Sequence, residues 1–211
     1  MSFIIPNRPI PRRQAISLIG GGAFAALATP GLTAGDGIGT VVEIKGPGQV
    51  GRPDKLAAMQ AGMAVFVGDL AVTGSEGRAQ LGLGPATEIH LGPLSRLQID
   101  TFIAEIGGVI FLDGAVVFDR AETAPKVEVE FQTDFGRIGV RGTRFFIGPS
   151  ENAYAVFVER GEVAVTGGGV TRILAAGQGA DLRGTDVAPG PVEDWQEARV
   201  KAAFDWVLGS A

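Results

Sequence analysis

Chemistry needs nucleophiles, bases and metal ligands, and this chain offers few of them. It has no cysteine and one histidine, His90. Without cysteine there is no disulfide framework, no Cys-ligated zinc, no iron–sulfur cluster and no thiol nucleophile. His90 stands two residues from Glu88, so a strand carrying both places them on one face. That reads as a surface pair. A serine triad would have to join His90 to Ser75, Ser95, Ser150 or Ser210, and none lies in a Gly-x-Ser-x-Gly context. Zinc has too few His and Cys ligands to bind. Asp113, Asp119 and Glu122 lack the spacing of an EF-hand calcium loop. Gly20-Gly21-Gly22 and Gly167-Gly168-Gly169 lack the Lys-Ser/Thr and helix of a phosphate loop. Glu128 and Glu130 remain, about 6.5–7 Å apart along one strand face. Two carboxylates at that separation can serve glycoside hydrolysis. The same pattern arises on any strand with one wet face. The sequence therefore assigns no catalytic, cofactor-binding or metal-binding residue, and no cofactor.

Charge narrows the partners. The formal net charge is −5. The first 35 residues hold Arg8, Arg12 and Arg13 and no acid; without those three arginines, 15 basic residues face 23 acidic ones, a net of −8. A surface that acidic is a poor binder of nucleic acid, whose affinity rests on neutralised phosphates, and of anionic lipid.

The basic start reads as an address rather than as part of a fold. Residues 1–14 end in Arg12-Arg13, residues 15–28 are apolar but interrupted by three glycines, and Ala26-Leu27-Ala28 forms an A-x-A site. That is the layout of a secretory signal. The arginine pair before a modestly apolar run points to the twin-arginine type, with cleavage near Ala28 or Ala34. Fourteen apolar residues fall short of the ~20 that span a bilayer, so no stable membrane span is expected after signal removal, although retention of the segment as an anchor stays open.

The elements that must position any site are strands. From residue 40 the chain alternates apolar and polar residues with period 2, most cleanly at Val127, Val129 and Phe131 against Glu128 and Glu130. There are 33 glycines, roughly twice the usual share, which fits many tight turns. Asp113-Gly114 and Glu159-Arg160-Gly161 read as hairpin turns. About a dozen strands follow one another without an intervening helix pattern, which argues against a parallel βαβ sheet. Residues 54–60 allow one helical turn. Residues 192–208 change to helical periodicity, with Trp195, Val200, Ala203, Phe204, Val207 and Leu208 near one stripe. A helix there is expected to cover an open end or edge of the β domain, since exposed edges are liabilities, with binding a partner as the alternative.

Several segments carry a resemblance. Residues 67–83 read Gly68-Asp69, then Thr73, a polar turn, and the alternation Ala79, Leu81, Leu83. Ser95 to Ile99 forms a Ser-x-Leu-x-Ile strand. Ile138-Gly139-Val140-Arg141-Gly142-Thr143-Arg144-Phe145 is the most specific stretch. Val156 to Val165 and then Ala176-Gly177-Gln178 close the series. Together these resemble the FecR domain family over about residues 63–183. The departure at Pro85-Ala86-Thr87, where the family often has Asp-Gly-Ser, affects a turn. The iron-dicitrate regulators that name the family carry a cytoplasmic segment and a membrane helix ahead of the domain, and a further C-terminal domain. A signal peptide stands here instead, so their sigma-factor signalling is not carried over.

The expectations are these. Residues 1–34 are an export signal, residues 35–190 a FecR-like β domain, and residues 191–211 a C-terminal helix. The fold is all-β, solenoid-like or a rolled β-sandwich, with one amphipathic helix. The resemblance implies a non-enzymatic binding or regulatory module, periplasmic or secreted, for an unidentified protein or envelope partner. A carbohydrate-active β protein and a purely structural envelope protein are the alternatives.

Overall fold

The computed structural model describes residues 37–104 and 106–210, all in one compact unit, with Arg141 described by its backbone alone. The expected export signal, residues 1–34, lies outside the described residues.

In chain order the first strands are β1 (Gly39–Lys45), β2 (Gly48–Arg52), β3 (Lys55–Ala58), β4 (Ala64–Val65), β5 (Leu70–Thr73) and β6 (Arg78–Leu83). Next come β7 (Thr87–Leu91), β8 (Arg96–Ile103), β9 (Gly107–Asp113), β10 (Val116–Arg120), β11 (Glu128–Thr133) and β12 (Gly136–Arg141). The last are β13 (Arg144–Ser150), β14 (Ala153–Arg160), β15 (Glu162–Gly167), β16 (Val170–Ala175), β17 (Gln178–Leu182) and β18 (Glu193–Asp194), before helix α1 (Glu197–Leu208). They form two nine-stranded sheets. The first has the order β18-β17-β14-β13-β10-β7-β6-β1-β4, the second β16-β15-β12-β11-β9-β8-β5-β2-β3. The fold is thus the expected all-β sandwich with a C-terminal helix. It advances as a solenoid does, laying strand pairs alternately in one sheet and the other.

Three strands break that rhythm: β4, β5 and β10 each cross alone, with no hairpin mate. After β10 the chain returns directly to β11, beside β9. β11 therefore lies parallel to β9, in an otherwise antiparallel ladder of the described strands.

The alternating residues meet between the sheets. Leu81, Leu83, Ile89, Leu91, Leu97 and Ile99 are buried there, as are Val129, Phe131 and Ile138. Phe118, Phe131 and Phe145 form an aromatic triangle with ring centroids 5.6, 5.4 and 5.7 Å apart. Each fully buried phenylalanine contributes about 1.5–3 kcal/mol of transfer free energy.

Three strands are apolar without alternation: Val116-Val117-Phe118, Phe145-Phe146-Ile147 and Val156-Phe157-Val158. Such runs bury both faces. Their outward residues Val117, Phe146 and Phe157 pack with Ala115 against Ala203, Phe204 and Val207 of α1. The helix therefore covers a sheet face, not an open end or edge as expected. It also starts later than its periodicity suggests. Glu193-Asp194 pairs with β17, and Gln196 has extended dihedrals, so the helix begins at Glu197.

Three further readings change. Residues 54–60 make no helical turn, because β3 pairs back on β2 through a two-residue turn at Pro53-Asp54. Asp113-Gly114 and Glu159-Arg160-Gly161 do not close hairpins. β9 and β10 lie in different sheets, as do β14 and β15. Gly114 (φ 104°), Gly142 (φ 68°) and Gly161 (φ 90°) are corners at which the chain leaves one sheet for the other. Glycine reaches positive φ without a Cβ penalty, and a Cβ at Gly161 would stand 2.6 Å from Thr143 Cγ2. The described residues hold eighteen strands rather than about a dozen, the surplus including the two-residue β4 and β18. Gly167-Gly168-Gly169 does close a hairpin, with Gly168 and Gly169 at φ 53° and 74°.

Candidate functional groove

The outer face of the second sheet has a trough with no helix over it. A cavity of about 670 Å³ runs across β8, β9, β11, β12 and β15. Its lining includes Gly107, Gly139 and Ala164, which have little or no side chain, alongside Thr101 and Val109. Ile103 and Ile106 stand beside it, 54% and 67% exposed, which is costly solvent contact for large aliphatic groups. Glu128, Glu130 and Glu162 also line it.

The parallel junction creates this site. Gly107 pairs with Glu128, and a Cβ on Gly107 would lie 1.7 Å from the Glu128 carbonyl oxygen. A Cβ on Gly108 would lie 2.0 Å from the Thr101 carbonyl oxygen. Both glycines are thus required by close backbone approach. Gly139 is different. A Cβ there meets nothing nearer than 3.9 Å, so its missing side chain leaves space rather than relieving a clash. Glu130 accepts a hydrogen bond from Gln132 Nε2 at 2.7 Å. Neither Glu128 nor Glu162 has an ion-pair partner among the described residues.

The two carboxylates weighed from sequence, Glu128 and Glu130, are brought into this groove together. The other weighed residues are dispersed. Ser95 is fully buried; its Oγ accepts from Ala115 N and donates toward backbone carbonyls. Ser150 Oγ accepts from Arg199. Asp119 holds Arg144 Nη1 at 2.6 Å and Arg160 Nη2 at 2.8 Å, and Glu122 pairs with Arg160. No group of three or more potential metal-ligating side chains occurs among the described residues. His90 Nε2 lies 3.5 Å from Glu88 on the opposite sheet, near Val207 and Leu208 at the end of α1. Burial lowers its pKa below 6.5, helped by Arg144 and opposed by Glu88 and Asp119.

The motif residues build architecture. Asp69 is buried and its carboxylate accepts from Phe66 N at 2.9 Å. Thr73 Oγ1 donates to the Gly92 carbonyl at 2.6 Å and accepts from Ser95 N at 2.9 Å. Gly142 turns the corner, Thr143 is buried behind it, and Phe145 enters the aromatic triangle. Arg144 bridges Asp119 and Glu159, at a bulge in the β13–β14 ladder. Burial works against its charge, but Asp119 and Glu159 outweigh that and raise its pKa above the ordinary arginine value. Arg120, buried, donates to Thr87 Oγ1 and to the carbonyls of Ala104 and Pro125, tying down two loops.

The groove itself was missed from sequence. Its lining runs from Thr101 to Ala164, and the single crossing of β10 brings β11 beside β9. The nearest signal was Ile103 and Ile106 ahead of a Gly-Gly pair.

Among the described residues no helix is long and apolar enough to cross a membrane. Residues 69–164 match the family model described as FecR protein. Two crystal structures of a candidate anti-sigma factor from Parabacteroides distasonis are similar in fold, each with a TM-score of 0.52 and 15% identity. The similarity covers 63% of this chain and 62% and 63% of theirs, under two thirds of their length. The curated proteins contain no match.

Proposed function

We propose, from the match of residues 69–164 to the FecR protein model, that this protein is an extracytoplasmic, non-enzymatic regulatory module that binds a protein or cell-envelope component. The observation that carries the reading is the uncovered groove on the second sheet of that domain. An exposed apolar trough is the kind of surface that marks an interaction site. The net charge of −8 beyond residue 35 supports a partner other than nucleic acid. The basic, A-x-A-terminated start supports export, with the final protein periplasmic or secreted. Residues 35–190 are the working domain and residues 191–211 its helical cover.

Cell fractionation tests the location. The mature chain is expected outside the cytoplasm, and Arg12→Lys with Arg13→Lys is expected to retain it inside at full length. A full-length cytoplasmic protein, indifferent to that double substitution, contradicts the export half of the proposal.

One observation favours a second reading: Glu128 and Glu130 share the groove. If they acted as acid and base on a glycan, Glu128→Gln or Glu130→Gln would abolish glycan turnover by the purified protein. Absence of turnover in the unaltered protein disposes of this alternative.

A further inference from the structure

We propose that the groove on the second sheet receives a basic amphipathic helix from a protein partner, lying across β8, β9, β11, β12 and β15. This deepens the binding reading above and rests on it.

The molecule already contains one such complex. On the first sheet, α1 packs its apolar stripe over Ala115, Val117 and Phe146. Small residues let it approach: a Cβ on Gly92 would stand 3.3 Å from Val207 Cα. The second sheet repeats the preparation. Gly139 and Ala164 form a small-residue floor, and Ile103 and Ile106 supply apolar contact at one end.

The dimensions agree. α1 has 12 residues and so extends about 18 Å. The five strands β8, β9, β11, β12 and β15 span about 19 Å at ~4.8 Å per interval. A helix of three to four turns fits that width. A peptide strand does not, because strand addition takes place at an edge, through main-chain hydrogen bonds, and this groove is on a face.

Charge selects the kind of helix. Glu128 and Glu162, unpaired among the described residues, and Glu130 line the groove. Lys or Arg beside the apolar stripe of a partner helix would meet them, whereas an acidic helix would be repelled. A second copy of this chain is disfavoured on the same ground, since its own surface is acidic.

The test uses the full chain and a fluorescein-labelled 14-residue probe with leucines at i, i+4, i+7 and i+11 and lysines flanking them. Binding is followed by fluorescence anisotropy. The expected result is saturable binding, at least tenfold weaker for the same peptide with glutamate in place of lysine. Gly139→Val is expected to weaken it at least tenfold by filling the floor without a backbone clash. Glu128→Gln with Glu162→Gln should weaken it while leaving the melting temperature in place. Three results would overturn the inference: indifference to Gly139→Val, equal affinity for the acidic peptide, or preference for an alternating strand-forming peptide. Sedimentation showing a dimer that Gly139→Val dissociates would overturn it as well, by assigning the face to a second copy. Failure here is distinguishable from failure of the broader proposal. An envelope partner that crosslinks at the β16 edge would leave the binding module standing and remove the groove.

Discussion

The two sheets of this sandwich share a core and differ on their outer faces. On the first, Val117, Phe146 and Phe157 are sealed beneath α1, with Trp195 stacked on Phe157 at 5.0 Å. On the second, Ile103 and Ile106 face solvent beside a floor of glycine and alanine. The difference teaches where stability and availability reside. Sealing a face takes apolar residues on both sides of a strand and a helix to meet them. Leaving a face open takes small residues held by close backbone contacts elsewhere, so that the surface stays concave without collapsing.

The contrast breaks most visibly from the sealed side. Phe157→Ala removes a ring that touches both Trp195 and Phe204. It should cost about 3–5 kcal/mol, the range for a buried phenylalanine, read from the urea midpoint. Ile106→Ser on the open side should change that midpoint by no more than about 0.5 kcal/mol, as exposed substitutions do. Similar losses from the two would mean that both faces are packed.

A middle-sized effect lies where the motif joins the sheets. Asp119→Asn weakens the shared anchor of Arg144 and Arg160. Loss of a charge-assisted bond in a partly buried site should cost about 1–3 kcal/mol, in chemical denaturation. It should do so without altering peptide binding at the groove, which lies on the other sheet.

The smallest effect sharpens the comparison through pH. His90 sits under the end of α1 with its folded pKa below the free value of 6.5. The folded state therefore favours the neutral ring, and the unfolded chain binds more protons once pH falls below 6.5. Stability from this group is complete above 6.5 and lost as pH drops through the lower folded value. Thermal melts from pH 7.5 to 5 should show that decline, and His90→Gln should flatten its His90-dependent part. The groove has no histidine, so peptide affinity should not follow the same curve.

Much of the fold was legible in the sequence. Alternation at Val127 to Phe131 assigned the inward face correctly, and the helical stripe at residues 192–208 held the helix. The runs Val116 to Phe118 and Phe145 to Ile147 also carried the signal for a doubly covered sheet, since nothing polar alternates there. The corners were less legible. Asp113-Gly114 has the chemistry of a hairpin, but a positive-φ glycine reverses a chain within a sheet or passes it between sheets equally well. Long-range pairing decides which, and Gly114 is decided by Ser95, whose Cα and Oγ would each lie 2.6 Å from a Cβ at that position. The groove was the least legible. It depends on β11 settling parallel to β9, a consequence of the single crossing strand between them that no local pattern announces. Gly107 and Gly139 look alike in the sequence, yet one is closed by backbone and the other opens onto space.

The account stands most directly on which face meets the partner. A photo-crosslinking residue placed at Ile106, on the second sheet, and separately at Val42, exposed on the first, would be activated in living cells. The account predicts a discrete adduct from Ile106, lost with Gly139→Val, and none from Val42. An adduct from Val42 with none from Ile106 would contradict it.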